Sequence, residues 1–248
     1  MRDWRALSIL LATLLTLIPS SPGAGARDWP PFLRARSEYP ADLANTVKRL
    51  WIDPTFTRTV SAEPVPVPLA SYLRFVDVPD VTAAAARHLG LTTYDVRALG
   101  AEWYEADDGN RTRGVYRVLA RDGGQRVVVS WGTHHGSILG TIGGSALTRL
   151  EFADERGRAT PRLVVNAIID NGLVAGMTRP ILLLFGWFVD RKLGEAFRTA
   201  ATVAVWAHED PREFCAWLGT TFAGDRRANI VEVFGECAPA ERAAGVSS

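Results

Sequence analysis

The stretch PILLLFGWFVDRKLGEAFRTAATVAVWA, Pro180 to Ala207, decides the fold. Its uncharged part, Pro180–Val189, falls short of the roughly 17–25 apolar residues that cross a bilayer. Beyond it, Asp190, Arg191, Glu195 and Arg198 are spaced among Phe188, Leu193, Phe197, Ala200, Val203, Ala204 and Ala207 at near-helical intervals. The spacing predicts one amphipathic helix of about 40 Å that does not span a membrane. Pro180 suits its first turn. Its apolar face needs a broad cover, which must come from the residues before it.

Those residues read as strands separated by turns. Tyr94–Ala106, with Gly100 as a bulge, Arg113–Arg121, Gln125–Thr133, Ala146–Ala153 and Arg162–Asp170 have strand character. Asp107-Asp108-Gly109-Asn110, Asp122-Gly123-Gly124 and Asn171-Gly172 punctuate them, and Asp122-Gly123-Gly124 is the strongest hairpin signal in the chain. Ser71–Val78 reads as a strand and Val81–Leu89 as a short Ala-rich helix ending at Gly90. A second C-terminal helix starts at Asp210-Pro211-Arg212-Glu213, with Asp as cap, Pro in the first turn and Glu three residues on. An antiparallel meander with one apolar face requires a layer over it. The expected fold is therefore α+β: a curled antiparallel β-sheet wrapped around a long C-terminal helix, with an N-terminal extension.

In element order, residues 70–210 resemble the helix-grip proteins of the StART-like and polyketide-cyclase-like (SRPBCC) superfamily. The resemblance implies a cavity between sheet and helix that holds an apolar or amphipathic ligand. Trp103, Tyr116 and Trp131 fall on three different expected strands and would supply aromatic walls with polar handles. His134, Asn166, Phe185 and Trp187 complete the expected ligand-binding set, and Arg117 and Arg149 are further partners for a headgroup.

The chain opens with Arg2 and Arg5, an apolar run from Ala6 to Ile18, and Ala24-Gly25-Ala26, the order of a secretory signal peptide. Residues 1–26 are assigned to it, 27–68 to an extension and Pro-rich linker, 69–218 to the helix-grip-like domain and 219–248 to a tail. The extension is expected to hold an amphipathic helix at Ala41–Trp51 and an extended Pro64–Pro68 alternation that cannot be a central strand. Lys48 and Lys192 are the only lysines, an Arg bias that points to a GC-rich bacterial gene. A periplasmic or secreted location after cleavage near Ala26 is the expectation. There thiols oxidise, and Cys215 and Cys237, the two cysteines, are the economical disulfide. Without residues 1–26, which carry Arg2, Asp3 and Arg5, acids and bases balance, so charge gives no case for a nucleic-acid partner.

Catalytic motifs fail on spacing. Gly132, Gly136, Gly140 and Gly144 recur every four residues, but without the G-x-G-x-x-G spacing or a P-loop lysine, and they read as a bulged strand-to-strand crossing or a ligand mouth. His134 and His135 are adjacent and point to opposite faces of a strand. His208-Glu209-Asp210-Pro211-Arg212 lacks the second His of a zinc motif, and Gly143-Gly144-Ser145-Ala146-Leu147 lacks the last Gly of a nucleophile elbow. No metal, cofactor or catalytic residue is assigned. The leading reading is an exported protein that binds a hydrophobic or lipid-like small molecule. The alternatives are a hydrolase or cyclase using His134 or His135 with Glu102 in the same cavity, and a structural envelope protein whose helix meets a partner or the membrane surface.

Overall fold

The computed structural model describes residues 28–100, 102–136, 140–170 and 179–238, with side chains in the last stretch described from Gly194 onward. Residues 1–26, read above as a signal peptide, and the side chains of Phe185 and Trp187 lie outside this description.

The chain builds α1 (Ala41–Ile52), β1 (Phe56–Ser61), α2 (Leu69–Asp77), α3 (Pro79–His88), six further strands, α4 (Arg179–Glu209), α5 (Pro211–Thr221) and α6 (Gly224–Val233). The strands are β2 (Asp95–Gly100), β3 (Trp103–Asp107), β4 (Thr112–Asp122), β5 (Gln125–Gly136), β6 (Gly140–Asp154) and β7 (Ala159–Ile169). All pair antiparallel in one sheet ordered β1-β7-β6-β5-β4-β3-β2. One strand, two helices, six strands and a long helix is the element order of the helix-grip arrangement. No helix of the described residues is long and apolar enough to cross a membrane.

Three local readings change. The expected strand Ser71–Val78 is helical up to Asp77, in α2, because Tyr72 and Phe75 share the buried side of a helix and pack with α4 and α5. Packing on one face overrides the β propensity of Tyr, Phe and Val. Tyr94–Ala106 is two strands, β2 and β3, reversed around Glu102, whose φ of 67° is a left-handed conformation uncommon for Glu. The third concerns the four glycines. Gly132 pairs with Gly144 and Gly136 with Gly140 across the β5–β6 hairpin, so their even spacing is the mirror symmetry of one hairpin. Strand β1, missed in the extension, pairs along β7, and Val65 bridges to Ala159 at the same edge.

The sheet bends at glycines. Gly114, Gly132 and Gly144 form one cross-strand row on β4, β5 and β6. A Cβ on Gly114 would lie 2.5 Å from the Trp131 carbonyl oxygen, and one on Gly144 would lie 2.7 Å from that of Ile168. Backbone so close leaves no room for a side chain, which is how glycine kinks let a sheet curl.

Helices α2 to α6 pack into the main core, where Tyr72, Phe214, Phe234, Leu218 and Ile230 are fully buried. Each such side chain contributes about 2–3 kcal/mol through burial. Asp210 caps α5 by accepting from the Glu213 N–H at 3.0 Å. Cys215 on α5 and Cys237 beyond α6 are joined by a disulfide. Two half-buried charge pairs lock the layers together. Asp77 at the end of α2 accepts two bonds from Arg126 of β5, at 2.6 and 2.8 Å, and Asp80 of α3 pairs with Arg226 of α6.

Two stability tests follow from this geometry. Gly114→Ala should destabilise by about 1–3 kcal/mol in denaturant titration, because the added Cβ meets backbone that cannot step aside. Cys237→Ser should cost about 3 kcal/mol for a loop of this length, and adding reductant to the wild type should reproduce the loss while leaving the variant unchanged.

Candidate functional site

Strand register fixes which side chains share a face, because cross-strand partners point the same way and neighbours along a strand point oppositely. One row runs Trp103, Arg117, Val129, Leu147, Asn166, Thr57 across β3, β4, β5, β6, β7 and β1. Trp131 stands on the same face, two residues along β5. The next row belongs to the other face and runs Tyr104, Tyr116, Ser130, Ala146, Ala167 and Phe56.

These two faces have different covers. Helix α1 seals the first: Leu43, Val47 and Leu50 pack on Val127, Val129 and Leu147, which are only 0%, 0% and 2% exposed. The second face meets α2, α3 and α4. Phe197 of α4 packs on Leu163 and Val165 at the β7 side, while α3 brings Ala83 against Val96, Tyr104 and the partly buried Tyr116. Between these contacts, Val128, Ser130, Ala146 and Thr148 sit at the middle of the sheet and remain half-buried.

The expected ligand set is therefore divided. Trp103, Trp131 and Asn166 lie on the α1 face, away from α4, and cannot line a cavity beneath that helix. Trp103 stacks with Trp131 at a centroid distance of 5.7 Å, and the Arg117 guanidinium lies 5.7 Å over the Trp103 ring. Asn166 is buried and accepts from the Thr57 hydroxyl at 2.9 Å. Arg149 lies over the Phe32 ring of the extension and pairs with Glu151 at 2.8 Å. Each of these groups is used in holding the sheet or the extension. Tyr116 and His134 stand on the α4 side, and Phe185 and Trp187 are positions of α4 whose side chains lie outside the described residues. Sequence alternation shows that a strand has two faces, but only cross-strand register shows which of them is common to several strands.

His134 Nδ1 is 2.9 Å from the Thr112 hydroxyl, and His135 Nδ1 is 2.7 Å from that of Thr141. They point to opposite faces. Glu102 receives a hydrogen bond from Arg121, which also donates to Asp77 at 3.0 Å. Glu102 therefore belongs with the far end of β4, whereas His134 pairs with Thr112 at its start. Glu102 lies against Val118, six residues along β4 from Thr112, a separation of about 20 Å. A shared acid–base role for Glu102 and His134 has no geometric basis. Among the described residues, no three His, Cys, Asp or Glu side chains converge on a metal position.

What sequence reading missed is the central patch itself. Val128, Ser130, Ala146 and Thr148 carry no motif, and only their position in register gives them a common face. Burial at its margin also has a chemical consequence. Desolvation, followed by the nearby Tyr94, Tyr104 and Asp80, raises the Tyr116 phenol far above its ordinary value, and desolvation does the same for Tyr72. Both phenols stay protonated in the fold at a pH where an unfolded chain begins to ionise, near 10. Stability from these groups is then complete below pH 10 and declines above it. Replacing Tyr72 and Tyr116 with Phe should flatten the alkaline loss, measured by urea unfolding between pH 9 and 11, by up to about 1.4 kcal/mol per pH unit for each residue.

No family model matches the chain, and no curated protein matches it. Similar solved structures do exist. A conserved protein from Geobacillus kaustophilus matches with a TM-score of 0.42 at 10% identity, covering 61% of this chain and 93% of its own. A protein from Thermus thermophilus matches with a TM-score of 0.44 at 11% identity, covering 60% and 99%. The di-domain ARO/CYC BexL from the BE-7585A biosynthetic pathway matches with a TM-score of 0.40 at 19% identity, over 68% of this chain and 55% of that one.

Proposed function

We propose that this protein binds a hydrophobic or lipid-like small molecule between the sheet and α4, without covalent chemistry. One observation carries the reading. At the centre of a seven-stranded sheet, Val127, Val129 and Leu147 are sealed on the α1 side, yet Val128, Ser130, Ala146 and Thr148 on the α4 side keep exposed surface. Central strands under a helix layer normally bury both faces. Here α3 stands over the β2–β4 side and Phe197 of α4 over the β7–β1 side, which leaves, among the described residues, an apolar patch between two supports. Concave apolar surface with a few polar groups is the usual form of a small-molecule site.

The glycine bend beside the patch favours the same reading. Gly132 and Gly144 adjoin Ser130 and Ala146 on the same face, so the sheet curls without side chains filling the space. We also assign the protein to the periplasm or the cell exterior. The leader-like order of residues 1–26 and the Cys215–Cys237 disulfide support that assignment.

The neutral dye N-phenyl-1-naphthylamine, which brightens in apolar surroundings, tests the binding reading. Wild-type protein should bind it in the micromolar range. Ala146→Phe, which fills the patch, should weaken binding at least ten-fold while thermal unfolding remains cooperative. An Ala146→Phe variant that binds the dye as wild type does would remove the patch from consideration.

A further inference from the structure

The chemistry of the patch narrows its ligand, and this step rests on the binding reading above. Three cross-strand rows face α4 on β4 to β7. They are Val118, Val128, Thr148, Val165; then Tyr116, Ser130, Ala146, Ala167; then Gly114, Gly132, Gly144, Ile169. None of these four strands contributes a carboxylate, an ammonium or a guanidinium there; Arg58 of β1 continues the first row beyond Val165 and is itself engaged. Charges on this face stand at the ends of the rows and are already engaged. At one end Arg121 and Arg126 are tied to Asp77, and at the other His134 is held by Thr112.

Two hydroxyl residues interrupt this apolar field. Ser130 on β5 and Thr148 on β6 lie on the same face, in adjoining rows of neighbouring strands. Both are half-buried, and neither hydroxyl has a hydrogen-bond partner among the described residues. Burying a charge here would be costly, since the cations on this face among the described residues are already engaged, whereas a neutral oxygen could exchange hydrogen bonds with both hydroxyls.

We infer that the α4 side of the sheet selects an uncharged, oxygen-bearing apolar molecule, an alcohol, ketone or ester, over a fatty-acid anion of the same length, with Ser130 and Thr148 as the polar anchors. The anchors hold a neutral ligand oxygen without any counter-charge, whereas a carboxylate arriving at the same place loses its hydration without gaining a cation that is not already paired.

Displacement of N-phenyl-1-naphthylamine at pH 8 provides the test, with decan-1-ol and sodium decanoate as competitors. Decan-1-ol should displace the dye at least ten-fold more effectively than decanoate. Because an alcohol also leaves water more readily than a carboxylate, the decisive measurement is the near-isosteric double variant Ser130→Ala/Thr148→Val. Measured relative to its own affinity for the dye, it should lose about three- to ten-fold in decan-1-ol affinity for each hydrogen bond removed. Decanoate competing as well as decan-1-ol, or a double variant with unchanged decan-1-ol affinity, would overturn the selectivity while leaving the binding site in place. Failure of wild-type protein to bind the dye or either competitor would instead reject the site, and the selectivity with it.

Discussion

The close approach of backbone at Gly114, Gly132 and Gly144 is the constraint on which the architecture rests. A flat sheet of this width would present two equivalent faces. Where a carbonyl of the neighbouring strand occupies the place of a Cβ, the strands lean over one another and the sheet curls. Curling makes the faces unequal. The α4 side receives a thirty-one-residue helix with α2 and α3 beside it, whereas the other side needs only the short α1.

This inequality explains how polar and apolar groups are divided. On the α1 side, Arg117 and Arg149 lie over Trp103 and Phe32, where a guanidinium keeps its charge near water while its stem covers an aromatic ring. On the α4 side, charged groups are confined to the margins, above all to Asp77 with Arg121 and Arg126. Removing one partner of such a partly buried pair would leave an uncompensated charge at the margin.

Helix α4 joins these features. Its later part is a structural element, with Val203 and Ala204 fully buried against the α2, α3 and α5 layer and Phe197 on the β7 side. Its opening part is the uncharged run Pro180–Val189. The disulfide from α5 to the segment after α6 secures the layer that holds the later part in place. One helix thus has an anchored half and an apolar half.

Sequence by itself determined the elements and their kinds where local chemistry is decisive. Length and charge spacing made Pro180–Ala207 a helix whose uncharged run is too short to cross a membrane. Asp122-Gly123-Gly124 placed the β4–β5 turn, the Asp210-Pro211 start placed α5, and strand alternation put His134 and His135 on opposite faces. Each follows from interactions within a few residues. Only the tertiary structure decided what depends on distant partners. It made Ser71–Val78 helical up to Asp77 because Tyr72 and Phe75 find a core on one side, turned four evenly spaced glycines into two cross-strand pairs, and divided the aromatic set. Trp103, Tyr116 and Trp131 look equivalent along the chain, but register sends Trp103 and Trp131 to the α1 face and Tyr116 to the other. The central patch was illegible for the same reason: Val128, Ser130, Ala146 and Thr148 acquire a common environment through pairing between strands, and no residue carries that pairing in its own identity.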